Sequence, residues 1–263
     1  MNRLRWRFLL EVAFLASCYM EWRDEALIIG IKKHGETSVI LEAMTRAHGR
    51  HLGLVKGGRS KRMQPLLQPG NEAELVWRAR LDEHLGFYAV EATKLRAAQL
   101  MASAQALHGM NLVGSLLRLL AERDPHEGLY EAARLIADHL DEALIAPLLL
   151  VRFELAILAE LGFGLDLARC AATGQIENLV YVSPKTGRAV SEAAGAPYHD
   201  RLLRLPAFLR CEPSAEMPAP ADLRDGFRLT EFFLQRDVFG PRGLCLPEAR
   251  GTYIAAISKD GAC

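Results

Sequence analysis

The sequence predicts an α+β protein, with a small β-barrel first and a mainly helical domain after it. Two observations lead to this prediction. Short runs rich in β-branched residues, separated by glycine-containing turns, follow one another as far as Thr93. Beyond Lys94 the leucines recur at helical spacing instead. The 263 residues, half of them apolar, are enough to bury two cores, so we expect two domains, 20–96 and 97–263.

Five runs are expected to form the strands of the first domain. They are Ala26–Lys33, Thr37–Met44, Arg50–Lys56, Glu72–Arg80 and Gly86–Thr93. Five strands in so short a segment are typical of the oligonucleotide/oligosaccharide-binding (OB) fold, although small barrels of other types fit the same pattern. Trp77, Phe87 and Tyr88 lie on these strands, where they either stack on the bases of a nucleic acid or pack inside the barrel.

Helices are expected throughout most of the second domain. The expected helices are one with a leucine stripe from Leu100 to Leu120, one opening at Asp124, one from about Pro147 to Gly162, one over Asp222–Phe239 and a short one after Pro247. The start at Asp124 is predicted because an aspartate cap is followed by Pro125 and by Glu127, as in a capping box. Gly162 lacks a side chain, which suits a carboxyl-terminal helix cap.

The segment 166–200 has the outline of a zinc ribbon, with short extended runs separated by turn residues. A four-cysteine zinc site needs two close pairs of cysteines. Only Cys170 is present, and Thr173, Ser191 and Ala194 occupy the spacings where the other three would fall. Hydroxyl and methyl groups do not replace thiolates as ligands, so we expect a degenerate ribbon without a bound metal. Cys170 itself is expected to be a small buried residue with no reactive role.

The positive charge is concentrated in the first domain. Residues 20–98 carry 13 basic and 10 acidic side chains, whereas residues 99–263 carry 16 and 21. No acid occurs between Ala43 and Asn71, and this stretch holds six cations together with His48 and His51, which add charge below neutral pH. Such a density of cations predicts either a surface for a polyanion or a solvated loop.

The cations expected to contact a polyanion fall into two groups. The first group lies in the stretch "HLGLVKGGRSKR", where glycines 53, 57 and 58 are expected to let the segment leave its strand and present its cations along a polyanion; it consists of Lys56, Arg59, Lys61 and Arg62. The second group consists of Lys32, Lys33, Arg46 and Arg50. A basic loop on a small barrel neutralises phosphates without reading the base sequence.

A nucleotide-binding enzyme is one alternative function. The stretch Gly53–Ser60 has the glycine, lysine and serine of a phosphate loop, but not the GxxxxGK[ST] spacing that wraps backbone amides around a triphosphate. Elsewhere the sequence contains no G-x-S-x-G, no H-E-x-x-H and no paired Cys/His ligands. We therefore expect no catalytic residue, no cofactor and no enzymatic activity.

An exported lipoprotein binding module is the other alternative. Arg3, Arg5 and Arg7 precede an apolar stretch that ends at Cys18, which resembles a lipoprotein signal. Glu11 interrupts this stretch, however, so we interpret residues 1–19 as an extension or a misassigned start, with the true start at Met20. The five cysteines are odd in number and widely spaced, which favours a reducing cytoplasm.

Several segments, taken in order, resemble the DNA repair protein RecO family. They are "MEWRDEALIIGIKKHGETSVILEAMT", "GLVKGGRSKR", "LQPGNEAELVW", "LGFGLDLARCAATG", "YVSPKTGRAVS", "LPAFL" and "LPEARGTYIAAI". The resemblance spans Met20 to about Ile257, nearly the whole chain. It departs from the family at the zinc-ribbon-like segment, where some members carry four cysteines and this chain has only Cys170.

The resemblance implies a recombination mediator of the RecF pathway, cytoplasmic and associated with the nucleoid. Members of the family bind single- and double-stranded DNA through the amino-terminal barrel and anneal complementary strands. They associate with RecR, bind the acidic tail of single-stranded DNA-binding protein, and thereby help to load RecA. The resemblance implies neither a catalytic step nor a membrane, and it leaves open which residues contact RecR or the tail.

Overall fold

The computed structural model describes residues 20–210 and 218–259. Within these ranges the residues up to Ala97, together with Ala121–Tyr130, form one compact unit, and Ala98–Leu120 with the residues from Glu131 onward form another. The expectations about residues 1–19, Cys18 included, lie outside the described residues. No helix among the described residues is long and apolar enough to cross a membrane.

The first unit is a closed five-stranded barrel. Its strands are β1 (Met20–His34), β2 (Ser38–Thr45), β3 (Gly49–Val55), β4 (Glu72–Ala79) and β5 (Phe87–Lys94), in the order β1-β2-β3-β5-β4 with β4 pairing back onto β1. Each pair is antiparallel except β3 with β5, which is parallel. The five strands predicted from the sequence are confirmed.

Strand β1 begins six residues before its predicted start at Ala26. Its first part pairs with β4, from Met20 opposite Ala79 onward, and its second part pairs with β2. Glu21, Arg23 and Glu25 point outward from the early part and are exposed. This first part of β1 was not predicted because its charged side chains leave no apolar run by which a strand is recognised in a sequence.

Two of the three aromatic residues on the strands are buried in the barrel core. Trp77 has no exposed surface and Tyr88 is 5% exposed, so the packing interpretation is confirmed for both. Phe87 lies on the outer face and is 46% exposed. Successive side chains of a strand point to opposite faces, which places Tyr88 and Phe87 on opposite sides of β5.

The helices that follow are α1 (Ala97–Ala102), α2 (Ala104–Leu117), α3 (Glu127–His139), α4 (Ile145–Glu160), α5 (Glu192–Gly195), α6 (Pro220–Phe233) and α7 (Glu248–Lys259). Helix α6 continues as a π-helix over Leu234–Phe239, which confirms the helix predicted for Asp222–Phe239. The predicted end at Gly162 is also confirmed: Gly162 has φ +87°, and the Phe163 amide donates to the Leu158 carbonyl at 2.8 Å.

The predicted helix start at Asp124 is wrong, because α3 begins at Glu127. The preceding residues belong to the barrel unit instead. The Arg123 amide donates to the Arg50 carbonyl at 2.8 Å, and Glu122 forms a parallel bridge with Arg50 on β3. This tertiary pairing, with Arg123 in a turn at φ +66°, keeps the segment out of the helix, and it outweighs the local capping signal.

A small sheet follows α4. Its strands are β6 (Leu179–Val182), β7 (Ala189–Ser191) and β8 (Leu203–Arg204), in the order β7-β6-β8. Cys170 is 1% exposed, which confirms its predicted burial. Its thiol donates to the Ser191 hydroxyl at 3.4 Å, and the Ser191 amide donates to the Cys170 Sγ at 3.3 Å.

Cys170, Thr173 and Ser191 occupy three of the four positions that the ribbon pattern assigns to zinc ligands, and hydrogen bonds join Cys170 to the other two. Burial raises the pKa of Cys170, but the hydrogen bonds from Ser191 and Thr173 oppose this effect and bring the pKa to about 6. Among the described residues, no group of three or more His, Cys, Asp and Glu side chains is placed to hold a metal ion.

A buried ion pair joins three helices of the second unit. Glu154 of α4 has no exposed surface, and its carboxylate accepts from Arg250 Nε of α7 at 2.8 Å and from the Thr230 hydroxyl of α6. Arg250 also donates to the Phe227 carbonyl at 2.6 Å and to Glu231 at 2.8 Å. Each charge is therefore compensated by a partner and by further hydrogen bonds, as a buried ion pair requires.

Replacing Arg250 with leucine is expected to lower the free energy of unfolding by about 3–5 kcal/mol, because the Glu154 carboxylate is left buried without its cation. The double variant E154L/R250L is expected to recover most of this loss. Urea unfolding followed by circular dichroism measures both. The control is Arg224→Leu, which changes an exposed arginine of α6. A loss below about 1 kcal/mol for Arg250→Leu would contradict the assignment.

Candidate nucleic-acid interface

Six of the eight predicted contact residues lie at one end of the barrel. Strands β2 and β3 are antiparallel neighbours, so the β1–β2 turn and the end of β3 meet at the same barrel end. All six side chains are exposed; we call this set the cation edge, and it consists of Lys32, Lys33, Lys56, Arg59, Lys61 and Arg62. Within residues 20–210 and 218–259, none of the six forms an ion pair with a carboxylate. The β1–β2 turn also carries one exposed acidic side chain, Glu36.

The segment that carries four of these cations is fixed to the barrel. The Arg59 amide donates to the Thr37 carbonyl at 3.0 Å, and the Arg59 guanidinium donates to the Gly35 carbonyl at 2.9 Å. Leu67, further along the segment, has no exposed surface and packs in the barrel core with Val39 and Val55. The cations are therefore presented from an ordered backbone.

Two glycines of this segment shape its exit from β3. Gly57 has φ +69°, a conformation that side chains disfavour, and it turns the chain out of β3. A Cβ on Gly58 would lie 2.5 Å from Val39 Cγ2, so Gly58 allows the segment to approach β2 closely. These two glycines permit a tight turn and close packing.

Asn71 holds the far end of the same segment. Its side-chain amide donates to the carbonyls of Pro65 and Leu66 at 2.9 and 3.0 Å, and its carbonyl oxygen accepts from the amides of Arg96 and Ala97 at 2.8 and 2.9 Å. Asn71 has no exposed surface, and all four of its side-chain hydrogen-bonding positions are filled. The sequence does not point to this residue, because its only signal is an asparagine after Pro69-Gly70 at the start of a strand.

The structure places Arg46 and Arg50 apart from the cation edge, at the β2–β3 turn. Arg46 is paired with Glu127 at 2.9 Å and with Glu25 at 3.3 Å. Arg50 is paired with Glu42 at 3.0 Å, and its side chain is only 16% exposed. Both guanidinium groups are engaged within the barrel unit, so they are weaker candidates than the six residues of the cation edge.

Both histidines near this turn are engaged within the barrel unit. Burial, together with the nearby Arg123 guanidinium, lowers the pKa of His51 to about 4, so His51 is neutral at physiological pH. Its Nδ1 lies 2.8 Å from the Tyr88 hydroxyl. His48 stacks on Trp22, with ring centroids 4.1 Å apart, and its Nδ1 lies 2.8 Å from Asp24.

Phe87 is the strand aromatic that remains open to a ligand. The Lys56 ammonium lies 4.4 Å from the centre of its ring, a cation–π contact. The pairing of Leu54 with Phe87 brings the start of β5 to the end of β3, which explains this proximity. An exposed ring beside a cation can stack on a base whose phosphate the cation neutralises.

The backbone of the stretch 53–60 is not arranged as a phosphate cradle. The Leu54 amide donates to Gly86, and the Gly58 and Ser60 amides donate to Val55 and Gly57. A phosphate loop needs such amides to point at the ligand. The turn geometry therefore explains this stretch without a bound nucleotide.

Replacing Asn71 with leucine is expected to lower the free energy of unfolding of the barrel unit by about 3 kcal/mol, because buried carbonyls and amides lose their partners. Trp22 and Trp77 both lie in this unit, so denaturation followed by tryptophan fluorescence reports on it. The control is Asn111→Leu, at an exposed position of α2. Equal stability of both variants would show that the four hydrogen bonds do not hold the segment.

Comparison with protein-family models matches both parts of the chain. Residues 20–96 match "Recombination protein O N terminal", and residues 101–243 match "Recombination protein O C terminal". Together these two matches cover most of the sequence.

Curated relatives are similar over nearly their whole length. A protein named "DNA repair protein RecO" from Methylocella silvestris is 68% identical over 240 residues, which is 91% of this chain and 97% of the relative. Proteins of the same name from Beijerinckia indica and Methylobacterium nodulans are 58% and 57% identical over 91% and 92% of this chain, and over 96% and 99% of their own lengths. Similarity of this extent, together with the two domain matches, shows that the chain belongs to the RecO family of DNA repair proteins.

Proposed function

We propose that this protein is a DNA-binding recombination mediator that works without catalytic turnover. The observation that carries the proposal is the cation edge, six exposed positive side chains presented together at one end of a barrel. Family membership supports a role in DNA repair, and a cluster of cations supplies the means of contact with DNA.

The physical basis of binding is the release of counterions. Each phosphate that a lysine or arginine neutralises frees a condensed cation from the DNA, and this gain does not depend on base sequence. A mediator that acts wherever repair is needed benefits from such contacts, because it has to accept any sequence. Phe87, exposed beside Lys56, adds a surface for stacking that is equally tolerant of sequence.

We also propose that the barrel is of the OB type. The closed sheet of five strands in the order β1-β2-β3-β5-β4 supports this proposal, since the OB-fold is a small five-stranded barrel with a Greek-key order. Members of that fold class bind oligonucleotides, so the assignment agrees with the proposed ligand. Both single- and double-stranded DNA present the phosphates that the cation edge would contact.

The proposed partners follow from the family. We propose that the protein associates with RecR, binds the acidic tail of single-stranded DNA-binding protein and helps to load RecA, in the cytoplasm and at the nucleoid. The absence of catalytic turnover is supported by the stretch 53–60, whose amides are engaged within the barrel. We assign no residue to the contacts with these proteins.

Replacing Lys56, Lys61 and Arg62 together with alanine is expected to weaken DNA binding regardless of sequence. The slope of log K against log salt for single-stranded DNA is expected to shrink by about 2, because about 0.7 of a counterion is released per phosphate contact. Arg59 is retained because it also holds the β1–β2 turn. Fluorescence anisotropy titrations at several salt concentrations measure both quantities.

The control for this experiment removes three exposed cations from the second unit, Arg169, Lys185 and Arg224. This variant has the same net charge as the first, so it separates local contact from overall charge. Equal losses in the two variants, or an unchanged salt dependence in the first, would contradict the assignment of DNA contact to the cation edge.

A further inference from the structure

A cavity of about 390 Å³ opens within the cation edge. It lies between the β1–β2 hairpin and the segment that follows β3. Ile31, Val39 and Gly58 supply its apolar surface, and Lys33 and Arg59 lie among its lining residues. No lining residue carries a carboxylate. The cavity therefore combines an apolar interior with positive charge, and no negatively charged side chain lines it.

Two glutamine side chains give the cavity directional polar groups. The Gln64 amide nitrogen donates to the Arg59 carbonyl at 2.9 Å, and the Gln68 amide nitrogen donates to the Gln64 carbonyl at 2.8 Å. Because each side-chain nitrogen already donates to a backbone carbonyl, the two Oε1 atoms remain available as hydrogen-bond acceptors. Both residues line the cavity.

Arg59 is also held in place before any ligand arrives. Its guanidinium donates to the Gly35 carbonyl at 2.9 Å through one nitrogen, which leaves other N–H groups for a phosphate and the planar face for stacking. A fixed guanidinium loses little further freedom on binding, so its contribution to affinity is larger than that of a mobile side chain.

We propose that this cavity accepts a single unstacked nucleobase of a bound DNA strand, with the phosphates of that nucleotide at Lys33 and Arg59. The inference rests on the proposed DNA-binding function and adds a base site to it. The cavity volume falls in the range of small-ligand sites. The two amide acceptors favour a base with an exocyclic amino group, such as cytosine, over thymine. A base inside a duplex cannot enter, so the site favours single strands and strand junctions.

The test compares two single strands of equal length and charge in anisotropy titrations with the full chain. One is an oligonucleotide of deoxycytidine, and the other is an abasic deoxyribose-phosphate strand. The abasic strand measures phosphate contact alone. The full chain is expected to bind the deoxycytidine strand roughly tenfold more tightly than the abasic strand, and more tightly than a deoxythymidine strand.

The variant Ile31→Trp is expected to block the cavity, because Ile31 is 38% exposed and a larger side chain fills the space beside it. It should remove the preference for the deoxycytidine strand and leave the affinity for the abasic strand unchanged. Gln68→Met keeps the side-chain length and is expected to reduce the preference for cytosine over thymine. The control is Leu81→Trp, at an exposed leucine in the β4–β5 connection.

The outcomes separate this inference from the function on which it rests. Failure of the full chain to bind the abasic strand would contradict the cation edge as a phosphate surface. Equal affinity for the two strands would overturn the base site alone. If Phe87→Ala lost the preference for the deoxycytidine strand and Ile31→Trp kept it, the base would bind at the exposed Phe87 ring and not in the cavity. If Ile31→Trp instead blocked an acidic peptide ending in phenylalanine and left the base preference intact, the cavity would be a peptide site.

Discussion

The barrel depends on the four hydrogen bonds of one buried side chain, that of Asn71. Its amide nitrogen binds the segment that closes the barrel end, and its carbonyl oxygen binds the backbone where the chain leaves β5. Its own backbone carbonyl accepts from Ile28 on β1 at 2.9 Å. Among side chains only the carboxamides of asparagine and glutamine offer two donors and two acceptor positions in one plane, and that of asparagine is the shorter. Three separate stretches of backbone therefore have fixed positions relative to one another because of this residue.

For the proposed DNA binding, the consequence is that the cation edge is ordered before any ligand is present. Leu67 anchors the segment in the core, Asn71 ties its end, and Arg59 joins its start to the β1–β2 turn. A disordered basic loop would lose conformational entropy on binding, and part of the electrostatic gain would offset that loss. Here only the outer parts of the side chains have to be ordered. The same rigidity maintains the cavity beside Ile31.

Much of this arrangement could be predicted from the sequence, and the failures have specific physical causes. Alternation and glycine turns predicted all five strands, and the acid-free run around Lys56 contains four of the six residues of the cation edge. Local patterns could not show that Arg46 and Arg50 lie elsewhere, since the position of a turn in a barrel depends on which strands pair. The start of α3 was misplaced for a related reason: pairing with β3 holds residues 122 and 123 outside the helix. The cavity involves residues from distant stretches, so no single motif could reveal it.

The ion pair between Glu154 and Arg250 can form only late in the synthesis of the chain. The two residues are 96 positions apart in the chain, and at the usual ribosomal rate Arg250 is made roughly 5–20 s after Glu154. During this interval α4 has an acidic group on the face that will be buried, without the cation that compensates it. The buried ion pair that joins α4, α6 and α7 is therefore completed only after α7 has been translated. All five strands of the barrel are made before this pair can form.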